Sequence, residues 1–243
     1  MGPDYIVIGV QKGGTTSLIH HFNQHPDNFT CTRELHFFDD NYEKGIESYE
    51  KEFVSDKKVR GEKTPDYSYL PYAIDRIHKH YPGVKLILML REPISRIYSQ
   101  HNMYHSETAN YHFIPMCNAD KLVAPEKIKQ GRGNRYYLQR SSYIRIIEYI
   151  LKKFPPSQLH VAISEEVFAD PLTEYNKMFS FLGLRELAAE EFSFKKDVFK
   201  TEYKLRMQND HFRYLYKFFK PLNERLYKFL GRRVDAWEKK YTL

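Results

Sequence analysis

The chain has 243 residues, 42% hydrophobic and 16% aromatic, which supports a substantial core and excludes a disordered or fibrous protein. A formal net charge of +7 points to polyanionic partners: a phosphorylated cofactor, an acidic polysaccharide or nucleic acid. The basic residues are spread along the chain between aromatics, a pattern equally suited to a solvated surface, and no nucleic-acid recognition motif accompanies them.

The first element is a buried strand, Ile6-Val7-Ile8-Gly9, whose continuous β-branched run suits a parallel strand covered on both faces. A turn with Lys12, Gly13 and Gly14 follows, and then a helix from about Thr16 to Gln24, stopped by Pro26. A polar, acidic stretch runs to Lys57. Gly61 to Pro65 reads as a short strand, and a helix over 72–81 ends at Pro82-Gly83. Val84 to Leu90 is the clearest central strand, with Pro93 in the first turn of the next helix. Met103 to Gly133 has no strong period and reads as an irregular insertion. A helix over 142–154 stops at Pro155-Pro156, Leu159 to Ile163 forms another strand, and a helix ends near Gly183. The last helix carries a core-facing stripe of Phe212, Leu215, Tyr216, Phe219, Leu222, Leu226 and Phe229. Alternating strands and helices predict an α/β fold, a P-loop-like parallel sheet flanked by helices, with 1–243 as a single domain.

Cys31 and Cys117 are too few for a metal cluster; a disulfide between them is not required, and a reducing compartment is expected. No apolar run spans a membrane, and no signal peptide precedes the first strand. Gly2 is followed by Pro3 and lacks the hydroxyl residue that myristoylation needs. Asn28-Phe29-Thr30 is a glycosylation sequon that matters only in a secretory chain.

Lys12, Gly13, Gly14, Thr15, Thr16 and Ser17 together make a phosphate cradle. The glycines allow close backbone approach, the hydroxyls donate, and the helix start directs its N–H groups and positive dipole end at an anion. The bland alternative is a turn that only joins strand to helix. The spacing of Gly9 and Gly14 fits a nucleotide triphosphatase loop, but Thr15 stands where that loop needs lysine, which argues against a Mg²⁺-dependent kinase. Arg91 lies at the carboxyl end of a strand, where ligands of open α/β sheets gather, and Ser99 two turns on can complete a second phosphate grip. Neutralisation of Arg91 by Glu92 is the alternative. Glu34 and His36 fall on one side of an extended segment and are candidates for proton transfer. His36 packed between Phe37 and Phe38 is the competing reading. Lys63 is a further cation that either joins this centre or pairs with Glu62.

On these motifs the chain resembles the PAPS-dependent sulfotransferases, above all the heparan sulfate 3-O- and N-sulfotransferases. Val10 to Thr16 is similar to their 5′-phosphosulfate loop, and Glu34 to Asp39 to the segment of their catalytic glutamate. Glu62-Lys63-Thr64-Pro65 with Tyr67 matches another family segment, and Leu90 to Ser99 resembles the 3′-phosphate site. Similarity continues through Arg140 to Tyr143, Phe154-Pro155, Phe181 to Gly183 and Gly231-Arg232. The disulfide-closed loop of the glycan enzymes has its counterpart in Lys200 to Arg206, which holds no cysteine pair.

The resemblance implies a sulfotransferase-type fold and in-line sulfuryl transfer from PAPS, leaving PAP, to an acceptor hydroxyl, with carbohydrate as the expected class. It implies Glu34 as general base, Lys12 on the leaving oxygen, and Lys63 with His36 on the sulfuryl oxygens. It places Tyr143, Lys204 and Arg206 with Arg91 and Ser99 around the cofactor, and it needs no metal. A small-molecule or lipid hydroxyl, or an amine, is the alternative acceptor; a P-loop metabolite kinase is the remote alternative activity. The absent cysteine pair weakens heparan sulfate as acceptor and suits a bacterial or viral cytoplasmic enzyme. The Golgi lumen applies if the chain is part of a longer protein.

Overall fold

The computed structural model describes residues 2–104, 122, 127–128, 136–195 and 207–241. Among these, five strands form one sheet: β1 (Tyr5–Gly9), β2 (Asn28–Thr30), β3 (Val59–Lys63), β4 (Lys85–Leu90) and β5 (Leu159–Ile163). Their order is β2-β3-β1-β4-β5, and every pairing is parallel. The helices are α1 (Thr15–Phe22), α2 (Ile46–Glu50), α3 (Pro71–His80), α4 (Pro93–Tyr104), α5 (Tyr137–Ser141), α6 (Tyr143–Ile150), α7 (Ser164–Ala169), α8 (Pro171–Leu182), α9 (Asn209–Leu230) and α10 (Asp235–Tyr241).

Alternation along the central strands divides the core. Ile6, Ile8, Leu86, Leu88 and Leu90 face one way, onto Ala73, Ile74 and Ile77 of α3 and Ile146, Ile147 and Ile150 of α6. Tyr5, Val7, Ile87 and Met89 face the other, onto Leu18 and Phe22 of α1 and Tyr175, Met178 and Phe179 of α8. Both faces of β1 are therefore covered, and that is why its sequence is apolar throughout. The same alternation acts on β3, whose Glu62 and Lys63 lie level with Ile6 and Val7. Neighbours in sequence, they project to opposite sides of the sheet.

Several elements differ from the sequence reading. The polar stretch before Lys57 contains an edge strand, β2, and the short helix α2. Asn28 is buried in β2, where its amide nitrogen donates to the Phe22 carbonyl at 3.1 Å and to Thr30 Oγ1 at 2.9 Å, so the sequon is inaccessible in the folded chain. The helix expected over 142–154 is regular only to Ile150, and α5 precedes it. The single helix expected after β5 is two, because Pro171 starts a new helix capped by the Asp170 carboxylate. The predicted stripe on α9 holds for Leu215, Phe219 and Leu226, whereas Phe229 is 40% exposed. Cys31 is a buried free thiol; Cys117 and most of Met103 to Gly133 lie outside the described residues.

Candidate active site

The strand ends of β1, β3 and β4 bring the predicted residues to one edge of the sheet. At the end of β1, the Val10 N–H donates to the Met89 carbonyl at 3.0 Å, and the Gly13 N–H returns to the Val10 carbonyl at 2.9 Å. A Cβ on Gly13 would lie 2.7 Å from the Met89 oxygen and 2.9 Å from that of Val10, so only glycine fits. Lys12 and Gly14 have left-handed backbone, with φ of 67° and 93°. Gly14 starts α1, and no side chain caps it. The first-turn N–H groups remain open and the positive end of the helix faces the turn, which fits an anionic phosphate.

The hydroxyls of this cradle are not equivalent. Thr16 is exposed at its mouth and Thr15 is buried. The Ser17 hydroxyl turns inward, 3.4 Å from His21 Nδ1, so Ser17 brings its main-chain N–H to the helix start. Lys12 is partly buried, and no carboxylate pairs with it among the described residues.

Arg91 follows β4, and its Nη1 donates to the Lys12 carbonyl at 3.2 Å, joining the two predicted anion sites through the cradle backbone. The alternative pairing with Glu92 is overturned. Glu92 is buried and caps α4, accepting from the N–H groups of Ile94 and Ser95 at 2.9 and 2.7 Å and from the Tyr241 hydroxyl at 2.8 Å. Tyr143 is buried and donates its hydroxyl proton to the Arg91 carbonyl at 2.7 Å, so it acts on the turn itself. Ser99 lies one face along α4 and is buried. Lys204 and Arg206 fall outside the described residues.

Glu34, His36 and Lys63 converge. Lys63 Nζ is 2.6 Å from Glu34 Oε1 and 3.4 Å from Thr16 Oγ1, which ties the carboxylate to the cradle. The Lys63–Glu62 pairing is thereby overturned, as the opposite projection of the two residues requires. His36 lies 3.2 Å from Glu34 Oε2 through Nε2 and 2.8 Å from Asp39 Oδ2 through Nδ1. Its backbone is left-handed, with φ of 48°, so the segment is a tight turn, not an extended strand. Hydrogen bonds to Asp39 and then Glu34 raise the His36 ring to about 10, so it is a cation that donates from both nitrogens. Burial opposes ionisation of Glu34, but the bonds from His36 and Lys63 outweigh it and hold the carboxyl at about 2.

Some contributors were not singled out in the sequence. Asp39 is buried and holds the far side of His36. Arg140 is buried beside the cradle, where it pairs with Asp66 and donates to Tyr69 at 2.8 Å and to Gln11 Oε1 at 3.3 Å. Glu62 is fully buried beneath the Glu34 segment. In sequence Glu62 reads as an ordinary charge beside Lys63, and only its burial in the fold marks it.

A parallel α/β sheet with an open helix start, two cationic turns and a carboxylate tied to the cradle through Lys63 suits group transfer from a phosphorylated donor. A family model described as the sulfotransferase domain matches residues 2–214, and the chain belongs to that family; it is a sulfotransferase. It is 28% identical over 257 residues to human heparan sulfate glucosamine 3-O-sulfotransferase 5, covering 96% of this chain and 73% of that one. The fold is similar to a solved sulfotransferase from Alicyclobacillus acidocaldarius, with a TM-score of 0.77 and 23% identity, covering 98% and 99% of the two chains. Mouse sulfotransferase SULT7A1, solved in complex with PAP, is similar with a TM-score of 0.54 and 13% identity, covering 99% and 89%.

Proposed function

We propose that this chain, as one domain over 1–243, moves a sulfuryl group from PAPS to a hydroxyl of a carbohydrate acceptor. The observation that carries the reading is the contact chain from Thr16 through Lys63 to Glu34, which puts a carboxylate beside a phosphate cradle. The donor supplies the sulfuryl group; the residues of this chain bind it, neutralise charge and accept a proton. The main-chain N–H groups from Gly14 to Ser17 and the Thr15 and Thr16 hydroxyls hold the 5′ end. Arg91 and Ser99 hold the 3′-phosphate, with Tyr143 fixing the Arg91 turn. Lys204 and Arg206 complete the cofactor contacts in this reading.

Glu34 takes the proton of the acceptor hydroxyl at Oε1 or Oε2. A carboxylate held near 2 is a weak proton acceptor, because the best catalytic base titrates near the working pH. Turning the Lys63 ammonium toward a second anion at the cradle removes a donor from Glu34 and raises its basicity. Lys12 neutralises the leaving oxygen, and Lys63 and His36 face the transferred group. Preorganised cations of this kind commonly supply the largest single share of rate enhancement.

The resemblance of the chain to 3-O-sulfotransferases of heparan sulfate supports a glycan as acceptor. Incubation with labelled PAPS and a panel of glycans, phenols, lipids and amines tests this. Label transfer to a glycan supports the proposal; transfer only to a phenol, lipid or amine removes the carbohydrate reading and leaves the family assignment intact.

A further inference from the structure

We infer that Glu62 is a positioning residue for the Glu34 segment, acting through two buried hydroxyls that hold its backbone. Glu62 Oε2 accepts the Thr64 hydroxyl proton at 2.7 Å, and Oε1 accepts that of Tyr49 at 2.8 Å. The buried Tyr67 phenol lies beside this carboxylate, whose charge raises it further. With its proton directed inward, the Thr64 oxygen is free to accept. Thr64 Oγ1 accepts the His36 N–H at 3.3 Å, and the Tyr67 hydroxyl accepts the N–H groups of Phe37 and Phe38 at 2.8 and 3.2 Å.

Three consecutive amides of the turn that carries His36 are thus bound by two hydroxyls packed around one carboxylate, and that carboxylate orients the Thr64 hydroxyl on the His36 amide. Glu62, Thr64 and Tyr67 are all fully buried, so no water competes for these groups and the direction of each bond is set by the network. A left-handed His36 needs such restraint, since nothing in its own backbone preference holds it there. The arrangement also explains a buried acid on an apolar face of the sheet. Burial pushes Glu62 up to about 7, while its hydroxyl donors pull it down. The titratable groups that face it are Tyr49 from α2, Tyr67 from the turn after β3, and Asp39 from the segment itself; Cys31 lies within its field and Tyr81 packs on Tyr49.

The catalytic meaning of this network rests on the proposal that Glu34 is the base, but its test does not. The test is the titration of the His36 ring, followed by NMR in the whole chain, with PAP affinity measured beside it. In Glu62→Gln an amide replaces one acceptor oxygen, so a hydroxyl proton must turn toward the backbone and displace an amide. The His36 pKa is then expected to fall by more than one unit, while PAP affinity stays within about twofold. Thr64→Val, which removes the hydroxyl that holds the His36 amide, should lower it likewise, and serves if Glu62→Gln does not fold. Tyr49→Phe removes a hydroxyl that touches no segment amide and should leave the His36 titration in place. An unchanged His36 titration in Glu62→Gln or in Thr64→Val overturns the inference, as does an equal fall in Tyr49→Phe. Full turnover in Glu34→Gln would defeat the base assignment alone and leave this measurement standing.

Discussion

The ammonium of Lys63 sits 2.6 Å from Glu34 Oε1, although the two residues come from a strand end and from a loop beyond the neighbouring edge strand. Lys63 is buried and Glu34 partly exposed, so the carboxylate is the partner that faces the solvent side. In the proposed mechanism the carboxylate that Lys63 neutralises in the resting protein is also the proton acceptor.

Glu34→Gln removes the proposed proton acceptor and keeps the shape. Turnover should fall about 10²–10⁴-fold, the usual range for loss of a general base. PAP binding should persist. Near-normal turnover would exclude Glu34 as the base.

Two anion sites joined through the cradle backbone should select a nucleotide with phosphates at both ends. A ligand that binds only the folded chain raises its melting temperature. PAP should give a larger shift than ATP with Mg²⁺, and Lys12→Ala and Arg91→Ala should each diminish it. Equal shifts from the two nucleotides would sink this reading.

Gly13→Ala should damage both stability and cofactor binding. The added methyl would meet two backbone carbonyl oxygens, that of Met89, which accepts from the Val10 N–H, and that of Val10, which accepts from the Gly13 N–H itself. Overpacking of this kind costs roughly 1–3 kcal/mol. Denaturant unfolding of the variant measures it, and wild-type stability with wild-type PAP affinity would contradict the close fit.

His36 makes stability depend on pH in a particular window. Its ring holds a proton more tightly in the folded chain, with a value raised from 6.5 to about 10. The stabilisation is fully present below about pH 6.5 and is lost as pH rises toward 10. Replacement by asparagine, which tolerates the left-handed backbone, removes it. The stability gap between wild type and His36→Asn should therefore narrow as pH is raised from 6 to 10. A gap that is constant over that range would show that folding does not raise the ring's affinity for its proton.

Salt discriminates the acceptor. Long-range attraction between a basic chain and an acidic glycan weakens as the screening length shortens to about 8 Å at physiological strength. Transfer to a charged glycan should drop steeply from low to moderate salt, and transfer to a neutral acceptor should change little. Equal salt dependence of the two would remove steering from the account.

The glycine turn, the Arg91 turn and the central strands were legible because each rests on local rules: β-branched runs, obligate glycines and proline at a helix start. What escaped the sequence depended on distant partners. β2 has only three residues and owes its place to pairing with β3 and to the Tyr5 hydroxyl, which donates to Asn28 Oδ1 at 3.0 Å. α10 is a short polar helix, and Trp237 docks it by donating to Glu165 at 2.9 Å. Lys63 was recognised as a cation, but its partner could not be chosen until the register of β1 and β3 sent Glu62 to the other face. Glu62 itself reads as an ordinary charge in Val59-Arg60-Gly61-Glu62-Lys63 and becomes distinctive only when Tyr49 and Tyr67 close over it.

The buried Asn28 bears on how the protein can be made. In a eukaryotic secretory host, oligosaccharide is added to Asn-X-Thr while the nascent polypeptide is still unfolded, before β2 can pair. A sugar on the Asn28 amide would occupy the space between Phe22 and Thr30 and hold the sheet edge open. Production in bacterial cytosol avoids that competition. Protein directed into the secretory route of yeast or insect cells should divide into an unglycosylated folded fraction that is released and a glycosylated fraction retained by quality control.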